Sequence, residues 1–125
     1  MTTSTVPSAQ DLLAKMRAGM GRVPAAIEKS TIVDDGLIQE HMRSRMYAMP
    51  AQGALDEETR TLVYLAAALA GSSPACVAAM ADKVVQQGIP ASKVLETVHI
   101  TRFAMATKII GDAEPVFDVL VRAQT

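Results

Sequence analysis

The chain has 125 residues, of which 50% are hydrophobic and only 3% aromatic, with eight methionines and no tryptophan. Its formal net charge is −1, from 12 basic and 13 acidic residues, which excludes the basic surface needed for nucleic acids or anionic membranes. Small apolar side chains predict closely packed helices in one domain, with apolar faces left over for self-association.

The N-terminal part of the chain predicts a tail followed by short helices. Residues 1–8 are polar, lack the order of a signal peptide, and are expected to be disordered. We expect a single domain over residues 9–125, because neither half could cover its own apolar faces. No segment reaches the roughly 18 apolar residues of a membrane span, which predicts a cytoplasmic protein. Helical spacing predicts helices over 11–20, from Val23-Pro24 to Lys29, and over 37–49.

The second half of the chain carries helix caps and stops. Gly88 and Gly111 are typical C-terminal stops. No alternation of period two lasts long enough for a strand, so the sequence predicts an all-α bundle of about six helices. The predicted caps are Asp56, Ser73 and Ser92, for helices over 56–70, 73–87 and 92–110, before a last short helix with Val116, Phe117, Leu120 and Val121.

Cys76, the only cysteine, lies where a helix is predicted to begin. Pro74 suits the first helical position, which places Cys76 in the first turn. Unpaired N–H groups and the positive end of the helix dipole stabilise a thiolate there, so Cys76 is a candidate reactive thiol. The alternative is a small buried hydrophobe, since free cysteine is among the most buried residue types.

Three features follow one another around this cysteine: the segment Leu55-Asp56-Glu57-Glu58-Thr59-Arg60-Thr61-Leu62, an apolar helix leading to the Cys76 turn, and Gly88-Ile89-Pro90. Together, over roughly residues 55–111, they resemble the carboxymuconolactone decarboxylase and alkylhydroperoxidase D-like superfamily. The resemblance implies a helical fold that assembles as trimers or hexamers. It also implies thiol-dependent peroxide reduction or lactone decarboxylation as activities.

The peroxidase branch of that superfamily carries Cys-x-x-Cys-x-x-x-His, with a glutamate on the preceding helix. Laid on this chain, Ser73 stands at the first cysteine, Cys76 at the second and Met80 at the histidine, and Thr61 lies on or near the glutamate position. The decarboxylase branch also has a histidine where Met80 stands. Because one thiol cannot run a two-thiol cycle, peroxide reduction by Cys76 would require an external thiol.

Glu58 and His99 are the candidates for the missing proton carriers. Glu58 lies one turn before Thr61, where it either faces inward or simply occupies the positive end of its helix dipole. His99 follows Glu96 at the Glu-x-x-His spacing of bundle metal ligands. No second Glu-x-x-His occurs, so a structural histidine is the alternative.

Arg102 and His41 are two further polar residues that the sequence singles out. Arg102 interrupts the apolar helix over 94–110, where it predicts an interface ion pair or, second, an anion site. His41 follows Glu40 among basic residues, a cluster typical of a solvated helix face.

The sequence favours thiol-dependent peroxide reduction, an antioxidant activity, with Cys76 as attacking thiolate, Glu58 or His99 as proton carrier and an external thiol as reductant. One alternative is a non-catalytic, oligomeric binding or scaffold protein. The others are a lactone decarboxylase or isomerase using His99 or His41, and a metal site using Glu96 and His99. We expect a homo-oligomer, a trimer or hexamer, acting on a small molecule without cofactor or bound metal.

Overall fold

A computed structural model describes residues 6–125, apart from the side chain of Met20, and in this range it contains seven α-helices and no strand. The all-α prediction is confirmed. The chain divides into two units, one ending at Arg60 and the other beginning at Thr61. Residues 1–5 of the tail predicted to be disordered lie outside the described residues, and the single domain over 9–125 stays a prediction. The helices are α1 (Ala9–Met20), α2 (Ala25–Val33), α3 (Asp35–Ala48), α4 (Glu57–Ala70), α5 (Pro74–Gln86), α6 (Ala91–Asp112) and α7 (Glu114–Ala123).

The first unit packs α1 and α2 against α3. Leu12 and Ile38 are buried, Ile38 to 1% exposure, and the apolar spacing along α1 and α3 accounts for this contact. Leu37 and Met46 share the helical pattern of α3 but lie exposed. The rest of the cluster consists of Ala9, which is buried, and the partly buried Met16, Ile27 and Met42.

Side-chain caps set the starts of three helices. The hydroxyl of Ser8 accepts a hydrogen bond from the backbone N–H of Asp11 at 3.1 Å, and Asp34 accepts one from Gly36 at 3.0 Å. Asp56 accepts from the N–H of Thr59 at 2.7 Å, as the sequence predicts. The break between α2 and α3 falls at Asp34, inside the gap between the helix predicted to end at Lys29 and the one predicted to begin at Leu37.

In the second unit, α5 ends at the predicted glycine. Gly88 has a φ of 65°, and its N–H donates to the carbonyl of Val85 while the N–H of Ile89 donates to that of Val84. The predicted cap at Ser92 is wrong, because α6 begins at Ala91 directly after Pro90 and Ser92 falls inside its first turn. The predicted stop at Gly111 is also wrong, because α6 continues through it to Asp112. None of the helices in the described range is long and apolar enough to cross a membrane.

The residues of α6 that are shielded from solvent are mostly polar. Its buried residue is Thr101, flanked by the partly buried Val94 and Thr97, whereas Phe103 and Ile110 are exposed. The sequence predicts this helix to be buried in the domain or at a subunit interface. Within the single chain it is not buried.

Candidate active site around Cys76

Cys76 is the third residue of α5, in the first turn, as the sequence predicts. Pro74 occupies the first helical position, where its missing N–H costs no hydrogen bond. Ser73 holds the N-cap position, but its side chain makes no capping hydrogen bond to the helix. The hydroxyl of Ser73 instead bonds to the Cys76 thiol.

Tyr64 of α4 is the second partner of the thiol. Its phenolic oxygen lies 3.4 Å from the sulfur of Cys76, a contact that joins α4 to the start of α5. While the thiol is protonated, either group can donate. Once the sulfur loses its proton it can only accept, so the Tyr64 hydroxyl must then donate to the thiolate.

These contacts change the acidity of the thiol. The hydrogen bond with Ser73, and then that with Tyr64, lowers the pKa of Cys76 below its ordinary value, while partial burial acts in the opposite direction. The side chain of Cys76 is half-buried. A thiol held this way is more nucleophilic near neutral pH than an isolated cysteine.

A second hydrogen bond joins the same two helices beyond the far end of α5. The hydroxyl of Thr61, which is buried, donates to the side-chain carbonyl of Gln87 at 2.9 Å. Thr61 and Tyr64 are three residues apart on α4 and therefore share one face of that helix. This face contacts both the start and the end of α5.

One family model matches residues 38–116, and its description is "Carboxymuconolactone decarboxylase family". The chain belongs to the carboxymuconolactone decarboxylase family. The match is wider than the stretch that carries the resemblance in the sequence, because it takes in α3 and the start of α7. The comparison with curated proteins finds no match.

Met80 and Thr61 stand at positions where the resemblance implies a histidine and a glutamate, and neither side chain can accept a proton and pass it on. Met80 is half-buried one turn after Cys76, and its thioether is at most a weak acceptor. Thr61, on or near the glutamate position, has a hydroxyl that stays protonated and is bonded to Gln87. Neither side chain can therefore act as the proton-transferring group that the resemblance implies at its position.

Glu58 and His99, the predicted proton carriers, occupy different settings. Glu58 is half-buried in the first turn of α4 beside Glu57, where the helix dipole favours a carboxylate. His99 is exposed on α6. The partners that the structure gives Cys76 are Ser73 and Tyr64, so roles for Glu58 and His99 stay predictions.

The other polar candidates are solvent-facing. Glu96, His99 and Arg102 are exposed along α6. His41 is exposed on α3 beside the ion pair of Glu40 and Arg43, which matches the solvated face that the sequence predicts. Across residues 6–125, no group of three or more His, Cys, Asp or Glu side chains is placed to hold a metal ion.

Sequence reasoning missed Tyr64 and Gln87. Both lie outside the family motif, and no local pattern marks them. For Tyr64, the resemblance rather than a local pattern offers a signal, because Tyr64 lies one turn beyond Thr61, which stands on or near the glutamate position that the resemblance implies.

Proposed function

We propose that this protein reduces peroxides through Cys76, with an external thiol as reductant. The observation that carries the proposal is the hydrogen bond between Tyr64 and Cys76 at the start of α5. Ser73 and the helix terminus act on the same sulfur in the same direction. Membership of the family, part of which reduces peroxides with a cysteine at this position, adds support.

The reaction needs one protein thiol and two external thiols. The Cys76 thiolate attacks the hydroxyl oxygen of the peroxide, so that an S–O bond forms and the O–O bond breaks. Sulfur is oxidised to the sulfenic acid, and the peroxide leaves as an alkoxide that takes up a proton. One external thiol converts the sulfenic acid to a mixed disulfide and water, and a second restores Cys76 and leaves in the external disulfide.

Tyr64 is the residue that we assign to this step in place of the missing histidine. Its hydroxyl donates to the thiolate before attack, and it lies close enough to the sulfur to protonate the departing alkoxide. The tyrosine would then recover its proton from solvent. Glu58 and His99 remain candidates for that resupply.

Assembly and location complete the proposal. We infer that the protein works as a homo-oligomer, a trimer or hexamer by its resemblance to the superfamily, on a small-molecule substrate. A cytoplasmic location would supply the reduced low-molecular-weight thiols that the cycle consumes.

The proposal is tested by peroxide consumption with the wild type and Cys76→Ser. With excess external thiol, we expect continuous turnover by the wild type and only the uncatalysed background from the variant. Without external thiol, the wild type should consume about one peroxide per chain and stop, because no second cysteine can resolve the sulfenic acid. Equal rates for wild type and variant would contradict the proposal.

A second candidate is a non-catalytic binding or scaffold protein. The observation that favours it is the replacement of family groups at Ser73, Met80 and Thr61. It predicts no peroxide consumption above background but unchanged assembly. A lactone decarboxylase using His99 or His41 is less favoured, because both histidines are exposed on α6 and α3.

A further inference from the structure

We propose that Gln87 is a positioning residue for Cys76, because its side chain fixes how α5 is turned against α4 and so keeps the Cys76 sulfur at the hydroxyl of Tyr64. Gln87 lies eleven residues beyond Cys76, about 16 Å along the axis of α5 at about 1.5 Å per residue. It therefore acts through α4 rather than on the sulfur itself. The inference rests on the proposed function, because it names a residue that presents Cys76 and Tyr64 for that reaction.

The hydroxyl of Thr61 bonds across to Gln87 rather than within its own helix. A threonine inside a helix commonly donates to the carbonyl four residues earlier, as Thr97 and Thr101 do in α6. Thr61 instead donates to the side-chain carbonyl of Gln87 at 2.9 Å, and Thr61 is only 4% exposed. Because little water can compete for a buried hydroxyl, this hydrogen bond holds the two helices in one arrangement.

Both contacts between the helices lie on one face of each helix. On α4, Thr61 and Tyr64 are one turn apart. On α5, eleven residues at about 100° each complete three turns to within about 20°, so Gln87 and Cys76 point in nearly the same direction. The Tyr64–Cys76 contact at 3.4 Å and the Thr61–Gln87 bond at 2.9 Å are therefore two points of one seam.

The backbone holds Gln87 in place at the end of α5. Its N–H donates to the carbonyl of Lys83 at 2.9 Å, and Gly88, with a φ of 65°, ends the helix directly after it. Ile89, the next residue, is buried, and its N–H donates to the carbonyl of Val84 at 3.0 Å. The Gln87 side chain therefore ties Thr61 to a fixed point of α5.

Two points of contact oppose the rolling of either helix about its own axis. The turn into α5 is fixed, since the N–H of Ser73 donates to the carbonyl of Ala68 at 3.0 Å, but one fixed end still permits roll. A side-chain atom lies about 5 Å from its helix axis, so a roll of about 12° displaces it by about 1 Å. A displacement of about 1 Å can lower a rate by about a hundredfold. The Gln87–Thr61 bond opposes such a roll from the far end of α5.

The test variant is Gln87→Leu, which keeps most of the bulk of the side chain and removes its acceptor oxygen. The Thr61 hydroxyl can then turn to the carbonyl of Glu57 in its own helix, so we expect this variant to fold. The absorbance of the thiolate against pH should show the Cys76 midpoint moved upward. The shift should not exceed that of Tyr64→Phe, because the hydrogen bond from Ser73 comes from the N-cap of α5 itself.

Three further variants separate positioning from general stability. Tyr64→Phe/Gln87→Leu should titrate like Tyr64→Phe alone, because Gln87 acts through Tyr64. Gln87→Glu keeps an acceptor for Thr61 and should restore most of the shift. Leu12→Ala is the control, because it removes a buried side chain of the first unit and should leave the titration unchanged.

The rate of alkylation gives a second measure of the same effect. Well below both midpoints, Gln87→Leu should react at least about twofold more slowly than the wild type, and above them the two rates should converge. A titration curve of Gln87→Leu that overlays the wild type, or a shift that persists in the Tyr64→Phe background, would overturn the inference. If Gln87→Leu does not fold, Thr61→Val removes the same hydrogen bond from α4 and is held to the same outcomes.

These measurements separate the positioning of Cys76 from the proposed activity, because neither of them uses peroxide. A protein that shows the shift but does not turn over peroxide would contradict the peroxidase proposal and still support the role of Gln87. A protein that turns over peroxide without the shift would support the activity and overturn the role of Gln87.

Discussion

At the scale of single residues, the candidate activity depends on three side chains around one sulfur. Ser73 and Tyr64 both bond to Cys76, and both lower its pKa. By the resemblance, Ser73 stands where the peroxidase branch has its first cysteine. A serine cannot resolve a sulfenic acid, but its hydroxyl lowers the pKa of Cys76.

Removing either hydroxyl should raise the pKa of Cys76. Tyr64→Phe deletes a donor to the thiolate, and Ser73→Ala deletes the partner with the larger effect, so the alanine variant should show the larger rise. The ultraviolet absorbance of the thiolate, followed against pH, measures both. Tyr47→Phe is the matched control, because Tyr47 is 87% exposed on α3 and should leave the titration unchanged. A Tyr64→Phe curve that overlays the wild type would remove Tyr64 from the site.

The sequence was sufficient to place Cys76 but not to find its partners. The position of Pro74 fixes where α5 begins, and that is local information. Tyr64 precedes Cys76 by twelve residues, so the contact between them depends on how α4 lies against α5. No spacing rule encodes such a contact, so Glu58 and His99 were the predicted partners instead.

At the scale of helices, α4 and α5 are tied together near both ends of α5. The Tyr64–Cys76 contact lies at its start, and the Thr61–Gln87 hydrogen bond lies just past its end. Thr61 is buried, so its hydroxyl needs this partner. The hydrogen bond therefore contributes to holding the thiol against Tyr64.

Thr61→Val should lower the free energy of unfolding by about 1 kcal/mol, because it removes one buried hydrogen bond while keeping the shape of the side chain. Urea denaturation at fixed protein concentration measures the change. Thr59→Val is the control, since Thr59 is exposed on the same helix and should change stability by less than about 0.5 kcal/mol. Equal losses in both variants would show that the hydrogen bond contributes nothing of its own.

Helix boundaries were more predictable than helix faces. Asp56 and Gly88 carry local cap and stop signals, and both predictions agree with the structure. The orientation of α6 could not be predicted, because apolar residues cover most of its circumference and leave no single polar side to face solvent. Thr101 is the residue of α6 that is buried, which a linear pattern does not reveal.

At the scale of the whole molecule, family membership and exposed surface point to different properties. The family match covers α3 to the start of α7 and accounts for the helical fold. Large apolar side chains are exposed on α6 and α7, among them Phe103, Ile110 and Phe117, whereas assembly into an oligomer stays a prediction. The composition indicated leftover apolar surface, but only the structure locates it.

The central claim is that Cys76 is an activated thiolate, and the rate of its alkylation against pH tests this most directly. Cys76 is the only cysteine, so the wild-type protein reports on this sulfur alone. For an activated thiolate, we expect a rate that rises with pH and reaches half its plateau clearly below about 8.5, the pKa of a free cysteine. A midpoint at or above that value would contradict the claim.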